Sequence, residues 1–472
     1  MSDFQKYNNE TKISVTSTEE IDNVIYYLIE VKIDKIKWVV KHRYKDFSEL
    51  HESLVNDHGV AKDTLPPKKV IRNKCPNFIE KRREGLEEYL KNLLVYLQKT
   101  MPREFATFLD MDKYDILFLL QSMAINFFNN AETYLQNCKS FKFTPLELYA
   151  ISQRLPRPCP PLELTETQYD FSHILDFCSQ LKDVIIEGSV NQKSFLKTSN
   201  IIPNELTFEM SVFKNIQKLE VIGIPMGNIY STGTMRETLR HLCVNNTGAE
   251  HIYDILLPDV VHKQEFTSSH TWKSLTEADF SYNEIKDIDD SIKLMPSVKT
   301  LNLVHNKLSD VKKISNLSQL PQLCNLNLSE NHFYSCADLH TSLGNIVCLD
   351  LSQNFISSLS GLSKLYSLES LDVSCNKITD IKEIVHIGSL PCLENVRITG
   401  NPLSCIVDYR VKVLELFNAR ANDINLDNEK PTVQELDKVR VLQALRIAKE
   451  GIAPSFSSNN TSLFPNLVSS GS

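Results

Sequence analysis

The sequence predicts two unlike parts: an α+β domain made of a three-stranded sheet with helices, and behind it an α/β solenoid with a helical C-terminal cap. Three observations carry this reading. Between residues 11 and 44, runs rich in β-branched and aromatic residues give way to helical spacing. From residue 275 to 401, one nine-residue pattern returns every 22 to 25 residues. After the last copy, apolar residues again fall at helical intervals. A chain of 472 residues leaves room for two or three domains.

The first domain is read over residues 8–118. KISVTS (12–17), NVIYYLIEVKI (23–33) and IKWVVKHRY (36–44) have strand composition, and the two-residue link at 34–35 suits a hairpin. Phe47, Leu50, Leu54 and Val55 then recur at helical spacing. Two adjacent prolines, Pro66 and Pro67, forbid helix and favour a stiff extended turn. Beyond them Leu86, Tyr89, Leu90, Leu93, Leu94 and Leu97 form one apolar stripe, and PREFATFLDM (102–111) closes the unit.

Residues 119–204 read as a helical or irregular connector. It contains a helix-like INFFNNAETYLQ (125–136), a proline-rich QRLPRPCPPLEL (153–164) and a strand-like SQLKDVIIEGSV (179–190).

The solenoid is read over 205–425, with clear repeats at 275–401. VKTLNLVHN (298–306), LCNLNLSEN (323–331), IVCLDLSQN (346–354), LESLDVSCN (368–376) and LENVRITGN (393–401) share the pattern L-x-x-L-x-L-x-x-N, and LTEADFSYN (275–283) is a looser copy. That pattern and period define leucine-rich repeats. The leucines stack inward from coil to coil, while each asparagine sits at a bend and bonds backbone groups left unpaired there. IQKLEVIGI (216–224) and LRHLCVNN (239–246) read as worn copies, with an insertion before Ala278. After the last repeat, Val411, Leu414 and Phe417 have the spacing of a helix that covers the open leucine edge. A C-terminal helix is expected over 426–452, opened by a Thr432/Glu435 capping box, and a disordered tail over 453–472.

Composition excludes several functions. A net charge of −8 argues against nucleic acid as the partner of the whole chain. The N-terminus has no apolar secretory core, and the most apolar run, 116–128, is too short and too interrupted to span a membrane. The eleven cysteines show no metal-ligand spacing and are read as reduced cytosolic thiols; no metal and no cofactor is expected. No phosphate-binding glycine loop, nucleophile elbow or zinc-protease pattern occurs, so no enzymatic activity is expected.

One stretch runs against the acidic balance. Between Lys62 and Arg83 eight cations face two carboxylates, a local excess of +6, with Lys41 and Arg43 at the strand end just before. A cationic patch on a proline loop suits a phosphorylated headgroup on an anionic membrane, each cation there contributing about 1 kcal/mol. Arg43 suits a phosphate because its fork donates two parallel hydrogen bonds, and Val70 and Ile71 are placed to dip into the lipid interface. Asp46 reads as a helix cap or as the partner of a nearby cation.

RYKDF at a strand–helix junction, LPPKK in the next loop and EKRREGLEEYL in the next helix together resemble the PX (phox homology) domain family. The resemblance implies binding of phosphoinositides, most often phosphatidylinositol 3-phosphate. It assigns Arg43 to the 3-phosphate, Tyr44 to the face of the inositol ring, Lys69 to the 1-phosphate and Arg82 to the ring hydroxyls. Lys68, Val70, Ile71, Arg72 and Lys74 would form the supporting membrane loop. The adjacent prolines depart from the family's usual P-x-x-P, so the resemblance fixes the choice of Lys69 over Lys68 less firmly than it fixes Arg43. The order of modules and the cap sequence resemble the nischarin (imidazoline-receptor candidate) family, which implies a place on early or recycling endosomes and partners among integrin tails and the Rac and Rab pathways.

On the concave face of the solenoid the residue between the paired leucines is Asp279, Asn302, Asn327, Asp350, Asp372 or Arg397, a polar stripe suited to a protein partner. The expected function is that of a cytoplasmic adaptor, peripheral on endosomes, which docks on phosphatidylinositol 3-phosphate and holds a signalling or trafficking protein. The alternative is a soluble leucine-rich-repeat regulator of a kinase, phosphatase or GTPase whose first domain binds no lipid.

Overall fold

The computed structural model describes residues 11–33, 35–68, 75–97, 100–157, 166–188, 198–262 and 265–450. The chain divides into two compact units after Asn331. Lys69, Val70, Ile71, Arg72 and Lys74, and the tail expected at 453–472, lie outside the described residues.

The first unit opens with an antiparallel meander of β1 (Thr11–Ile21), β2 (Val24–Ile33) and β3 (Ile36–Arg43), in the order β1-β2-β3. The alternation read in the sequence sets the faces: Tyr27, Ile29, Val31 and Ile33 of β2 and Trp38 and Val40 of β3 are buried. Helix α1 (Tyr44–His58) lays Phe47, Leu50 and Leu54 on that face. Helix α2 (Pro76–Tyr96) adds Leu86, Tyr89, Leu90 and Leu93, four residues of the expected stripe. The short helices α3 (Arg103–Phe108) and α4 (Met111–Tyr114) complete the core with Phe105, Phe108 and Tyr114.

Helix α5 (Ile116–Asn137) is an ordinary half-buried helix. Its N-cap Asp115 accepts hydrogen bonds from the amides of Leu117 (2.9 Å) and Phe118 (3.3 Å). Among the described residues no helix is long and apolar enough to cross a membrane.

Residues 119–204 do more than connect. β4 (Phe141–Phe143), helix α6 (Pro145–Arg154), helix α7 (Ser172–Gln180) and β5 (Asp183–Glu187) follow α5. β5 pairs in parallel with β4 on one side and with β7 (Lys218–Ile222) on the other, so the parallel sheet begins at Phe141 rather than near residue 205. An aromatic cluster closes this end, with Phe127 stacked on Phe177 at 4.2 Å and Phe141 against both. These first coils lack the asparagine signature and their strands stand further apart in sequence, which hides their period.

The sheet of the first unit continues through β9 (His241–Asn245), β10 (Glu277–Asp279), β11 (Thr300–Asn302) and β12 (Asn325–Asn327), while β6 (Phe208–Glu209) and β8 (Ile229–Tyr230) pair separately. Leu219, Leu242, Ala278, Leu301 and Leu326 stand in register, so both worn repeats are strands of the solenoid. The asparagines tie coil to coil. Asn306 donates to the carbonyls of Phe280 (3.0 Å) in the preceding coil and Leu303 (3.1 Å) in its own, and accepts from the amide of Ile285 (3.1 Å).

The second unit repeats this arrangement. β13 (Cys348–Asp350), β14 (Ser370–Asp372), β15 (Asn395–Arg397) and β16 (Asn425–Leu426) run parallel, and Asn376 and Asn401 make the same three contacts as Asn306. The helix Tyr409–Glu415 buries Val411 and Leu414, with Phe417 just beyond it. Helix Val433–Glu450 packs on it, and its capping box is formed: Glu435 accepts from the Thr432 amide at 2.8 Å, and its own amide donates to the Thr432 hydroxyl at 3.2 Å.

Glu435 also accepts from Arg410 Nε at 2.8 Å, with both side chains about four-fifths covered. Burial works to raise the Glu435 pKa, but the Arg410 guanidinium and the Thr432 amide outweigh it and hold the carboxyl below its ordinary value. A depressed folded pKa adds stability above the unfolded pKa that is lost as pH falls through the folded one. Glu435→Gln is therefore expected to destabilise the second unit by about 1–2 kcal/mol at neutral pH. The gap to the unmodified protein should narrow as pH falls below the ordinary glutamate range and through the depressed folded pKa, as checked by denaturant melts at neutral and at acid pH.

Candidate functional site

The end of β3 turns directly into α1, and Arg43 occupies the N-cap position in extended conformation (φ −91°, ψ 163°). Asp46, in the first turn, bonds back: its Oδ2 accepts from the Arg43 amide at 2.9 Å and its Oδ1 from Arg43 Nε at 3.2 Å. Asp46 thus partners a nearby cation as expected, but it closes the helix start from the third helical position, the N-cap itself being Arg43. With Nε engaged and the side chain 42% exposed, the two terminal nitrogens of Arg43 have no protein partner among the described residues.

Tyr44, the first helical residue, uses its hydroxyl to hold the proline loop, donating to the Pro66 carbonyl at 2.5 Å. Pro66 rests on Gly85 of α2, where an added Cβ would come within 3.0 Å of the proline ring. A larger residue at Gly85 would push the loop away. One face of Tyr44 is covered by the Arg82 guanidinium, 4.3 Å from the ring centre, and Phe78 lies at the same 4.3 Å distance from that guanidinium. Tyr44 is therefore the piece that holds Arg82 and the loop in place.

Arg82 is the unusual residue. It is only 9% exposed, and its Nε and Nη2 find no hydrogen-bond acceptor among the described residues. The Tyr27 hydroxyl lies against it, and burial pushes the Tyr27 and Tyr44 pKa values up despite the pull of the Arg82 charge. Neither phenol can supply a negative charge near neutral pH, so the cation is buried without a counter-ion among the described residues. Two aromatic faces recover about 2 kcal/mol each for a desolvated cation, while an uncompensated buried charge costs several kcal/mol. The arrangement has room in its energetics for an external anion.

Other cations in the basic stretch are already neutralised. Arg83 turns toward β1, donating to the Val15 carbonyl and pairing with Glu80 (2.8 Å) and Glu87 (3.3 Å). Lys41 pairs with Glu19 at 2.6 Å. Arg83 drops out of the local excess counted over 62–83 and Lys41 out of the cations at the strand end, whereas Lys62, Lys68 and Lys81 are exposed. Sequence reading also passed over Phe78 and Tyr27. Phe78 was within reach of it, because it stands four residues before Arg82 on the same helix. Tyr27 was not, since only the folded sheet carries it to α2.

The polar stripe of the parallel sheet has a structural use. Asn302 Oδ1 accepts from the Val304 amide at 3.2 Å, Asn327 from Ser329 at 2.9 Å, Asp350 from Ser352 at 2.9 Å and Asp372 from Ser374 at 2.9 Å; Asp279 accepts from Ser281 at 3.0 Å. These side chains close the turn after each strand. Asn302 also donates to Asp279 at 3.0 Å, and Arg397 pairs with Asp372 at 3.4 Å. Arg397 is exposed and the other five are half-buried. In the same unit as Asp279, the atoms of His251, Asp287 and Asp289 lie within 4.8 Å of one another, but His251 already contacts Asp287 and Asp289 caps the amides of Ser291 and Tyr253.

The PX domain family matches residues 30–112, from within β2 into α4, and the family of leucine-rich repeats (2 copies) matches residues 344–386. The chain therefore carries a PX domain followed by leucine-rich repeats. It is 33% identical over 181 residues to an uncharacterised leucine-rich repeat-containing protein of Schizosaccharomyces pombe, covering 37% of this chain and 29% of that one. It is 27% identical over 211 residues to the serine/threonine-protein kinase 11-interacting protein of Homo sapiens, covering 45% and 19%. A crystal structure of a designed CISK-PX domain aligns over 21% of this chain and 96% of that one, with 29% identity and a TM-score of 0.20. The chain spans less than a third of the length of these curated relatives.

Proposed function

We propose that the chain is a phosphoinositide-binding adaptor: the PX domain grips a phosphorylated inositol headgroup on a membrane, and the repeats hold a protein there. The observation that supports this best is the Arg82 guanidinium, buried between Tyr44 and Phe78 with two nitrogens lacking acceptors, on the same tyrosine that follows the half-free Arg43. Two arginine forks, one on the residue before Tyr44 and one over its ring, suit a flat polyol carrying phosphate. The headgroup we propose is phosphatidylinositol 3-phosphate, the membrane that of early or recycling endosomes, and the partner a signalling or trafficking protein. Resemblance to the nischarin family points to integrin tails and the Rac and Rab pathways. Two weak attachments, to lipid and to protein, then give stable placement where either alone would not.

The test is sedimentation with phosphatidylcholine vesicles, with and without phosphatidylinositol 3-phosphate. Arg43→Ala should weaken lipid-dependent sedimentation by roughly 10- to 100-fold, the worth of one or two charge-assisted hydrogen bonds. Its melting temperature should stay nearly unchanged, because the Asp46 cap on the residue-43 amide survives the substitution. A second reading, a leucine-rich-repeat regulator of a kinase, draws on the human relative, whose name states that it interacts with a kinase. If the vesicles' phosphoinositide makes no difference to sedimentation, that reading replaces the first.

A further inference from the structure

The outer edge of β3 carries an inference independent of the headgroup site. As the last strand of β1-β2-β3, β3 should present a row of unpaired amides and carbonyls. That row is instead filled by the chain's own residues 198–200, some 160 positions later. The Val39 amide donates to the Thr198 carbonyl at 2.9 Å and the Asn200 amide to the Lys37 carbonyl at 3.0 Å, with Trp38 opposite Ser199 in an antiparallel bridge. The Asn200 side chain prolongs the ladder: its Oδ1 accepts from the Lys37 amide at 2.8 Å and its Nδ2 donates to the Lys35 carbonyl at 2.8 Å.

Apolar contacts back this strip. Ile201 is buried in the same core as Trp38 and Tyr114, together with Leu146 of α6, and Tyr149 and Leu206 pack against it. Trp38 stacks on Tyr114 at 5.3 Å, and the Tyr114 hydroxyl meets the Thr198 hydroxyl at 2.9 Å. On its other side the strip is tied to the repeats: Asn204 donates to the Gly223 carbonyl at 3.0 Å, and Asn228 donates to the Asn204 carbonyl at 2.7 Å. Domains on a chain move independently unless a large apolar interface joins them. Here the interface is apolar, laddered and entered by the chain twice, at 114–116 and at 198–204.

We infer that residues 198–201 fasten the PX domain to the first coils of the solenoid as one rigid body, so that docking of the first domain sets the direction in which those coils stand. β3 carries both ends of this arrangement, the strip at Lys35–Val39 and the headgroup residue Arg43 at its end. The membrane half of the statement rests on the function proposed above; the mechanical half does not.

Hydrogen exchange on the whole chain tests it. Peptides covering 35–40 and 198–202 should exchange as slowly as those of β2. The double variant Asn200→Ala/Ile201→Asp should speed exchange at 35–40 by about 100-fold or more, while β1, β2 and the repeats around 300–327 keep their protection. Fast exchange at 35–40 in the unmodified protein, comparable with the loop at 61–65, overturns the rigid joint. Orientation is read from energy transfer between a donor installed at the exposed Gln322 and acceptor lipids: one narrow distance distribution for the unmodified protein, a broad one for the double variant. Equal breadth in both overturns the directional claim. Arg43→Ala separates the two readings, since it should lose the vesicles and keep the protected strip. Protection without any vesicle binding in the unmodified protein would leave the joint standing and remove the lipid function alone.

Discussion

Replacing Asn306 by alanine is expected to cost the first unit about 3–6 kcal/mol, far more than a surface asparagine would, and to lower its melting transition by roughly 10 °C. The reason is what the side chain leaves behind. Asn306 is 3% exposed, and its amide serves Phe280 and Leu303 carbonyls and the Ile285 amide at 3.0, 3.1 and 3.1 Å. Alanine returns none of these bonds, and water cannot reach the groups in the packed bend, so the penalty is that of orphaned backbone rather than of lost contacts. Asn306→Asp should fare no better: a carboxylate can still accept from Ile285, but it cannot donate and carries its charge into the core. Circular dichroism melts of both variants check this, and a loss under about 1 kcal/mol would show that the ladder is dispensable.

Arg82→Met is expected to do the opposite to stability while abolishing lipid binding. Methionine keeps an apolar stem between Tyr44 and Phe78 and makes favourable sulfur–ring contacts. It removes a buried charge whose Nε and Nη2 are unsatisfied, a relief of several kcal/mol set against about 4 kcal/mol of lost cation–π attraction from the two rings. The melting temperature without lipid should hold or rise by a few degrees, and phosphoinositide-dependent sedimentation should fall by about 100-fold or more. A melting temperature that drops sharply would make Arg82 a structural residue, locked to Tyr27 and the two rings. Unchanged sedimentation would remove it from the headgroup site. Such a trade, stability given up for a charge held ready, is what a binding site built to receive an anion should show.

Much of this was legible in one dimension. The repeat asparagines announce themselves by spacing because each coil solves the same bend with the same residue. The strand alternation of β2 and the stripe of α2 are equally plain, since burial on one face of a regular element must recur with that element's period. RYKDF and its companion motifs marked Arg43 and Arg82 through resemblance. The first coils were not legible: β4 and β5 carry apolar alternation but no asparagine, so nothing in their spacing ties them to the repeats. The charge count also misled at Arg83 and Lys41, whose acids are supplied by Glu87 and Glu80 on the same helix and by Glu19 on another strand.

The sequence by itself determined the two modules, their order and the residues that line each core, because these follow from local periodicity, which every segment carries along its own length. Only the tertiary structure decided which cations remain without a partner and which strand edge is closed. Those outcomes depend on what distant segments bring within about 3 Å of one another: Glu19 for Lys41, no acid for Arg82 among the described residues, and residues 198–200 for the edge of β3. Neutralisation and desolvation are properties of neighbourhoods in space, and no spacing along the chain encodes them.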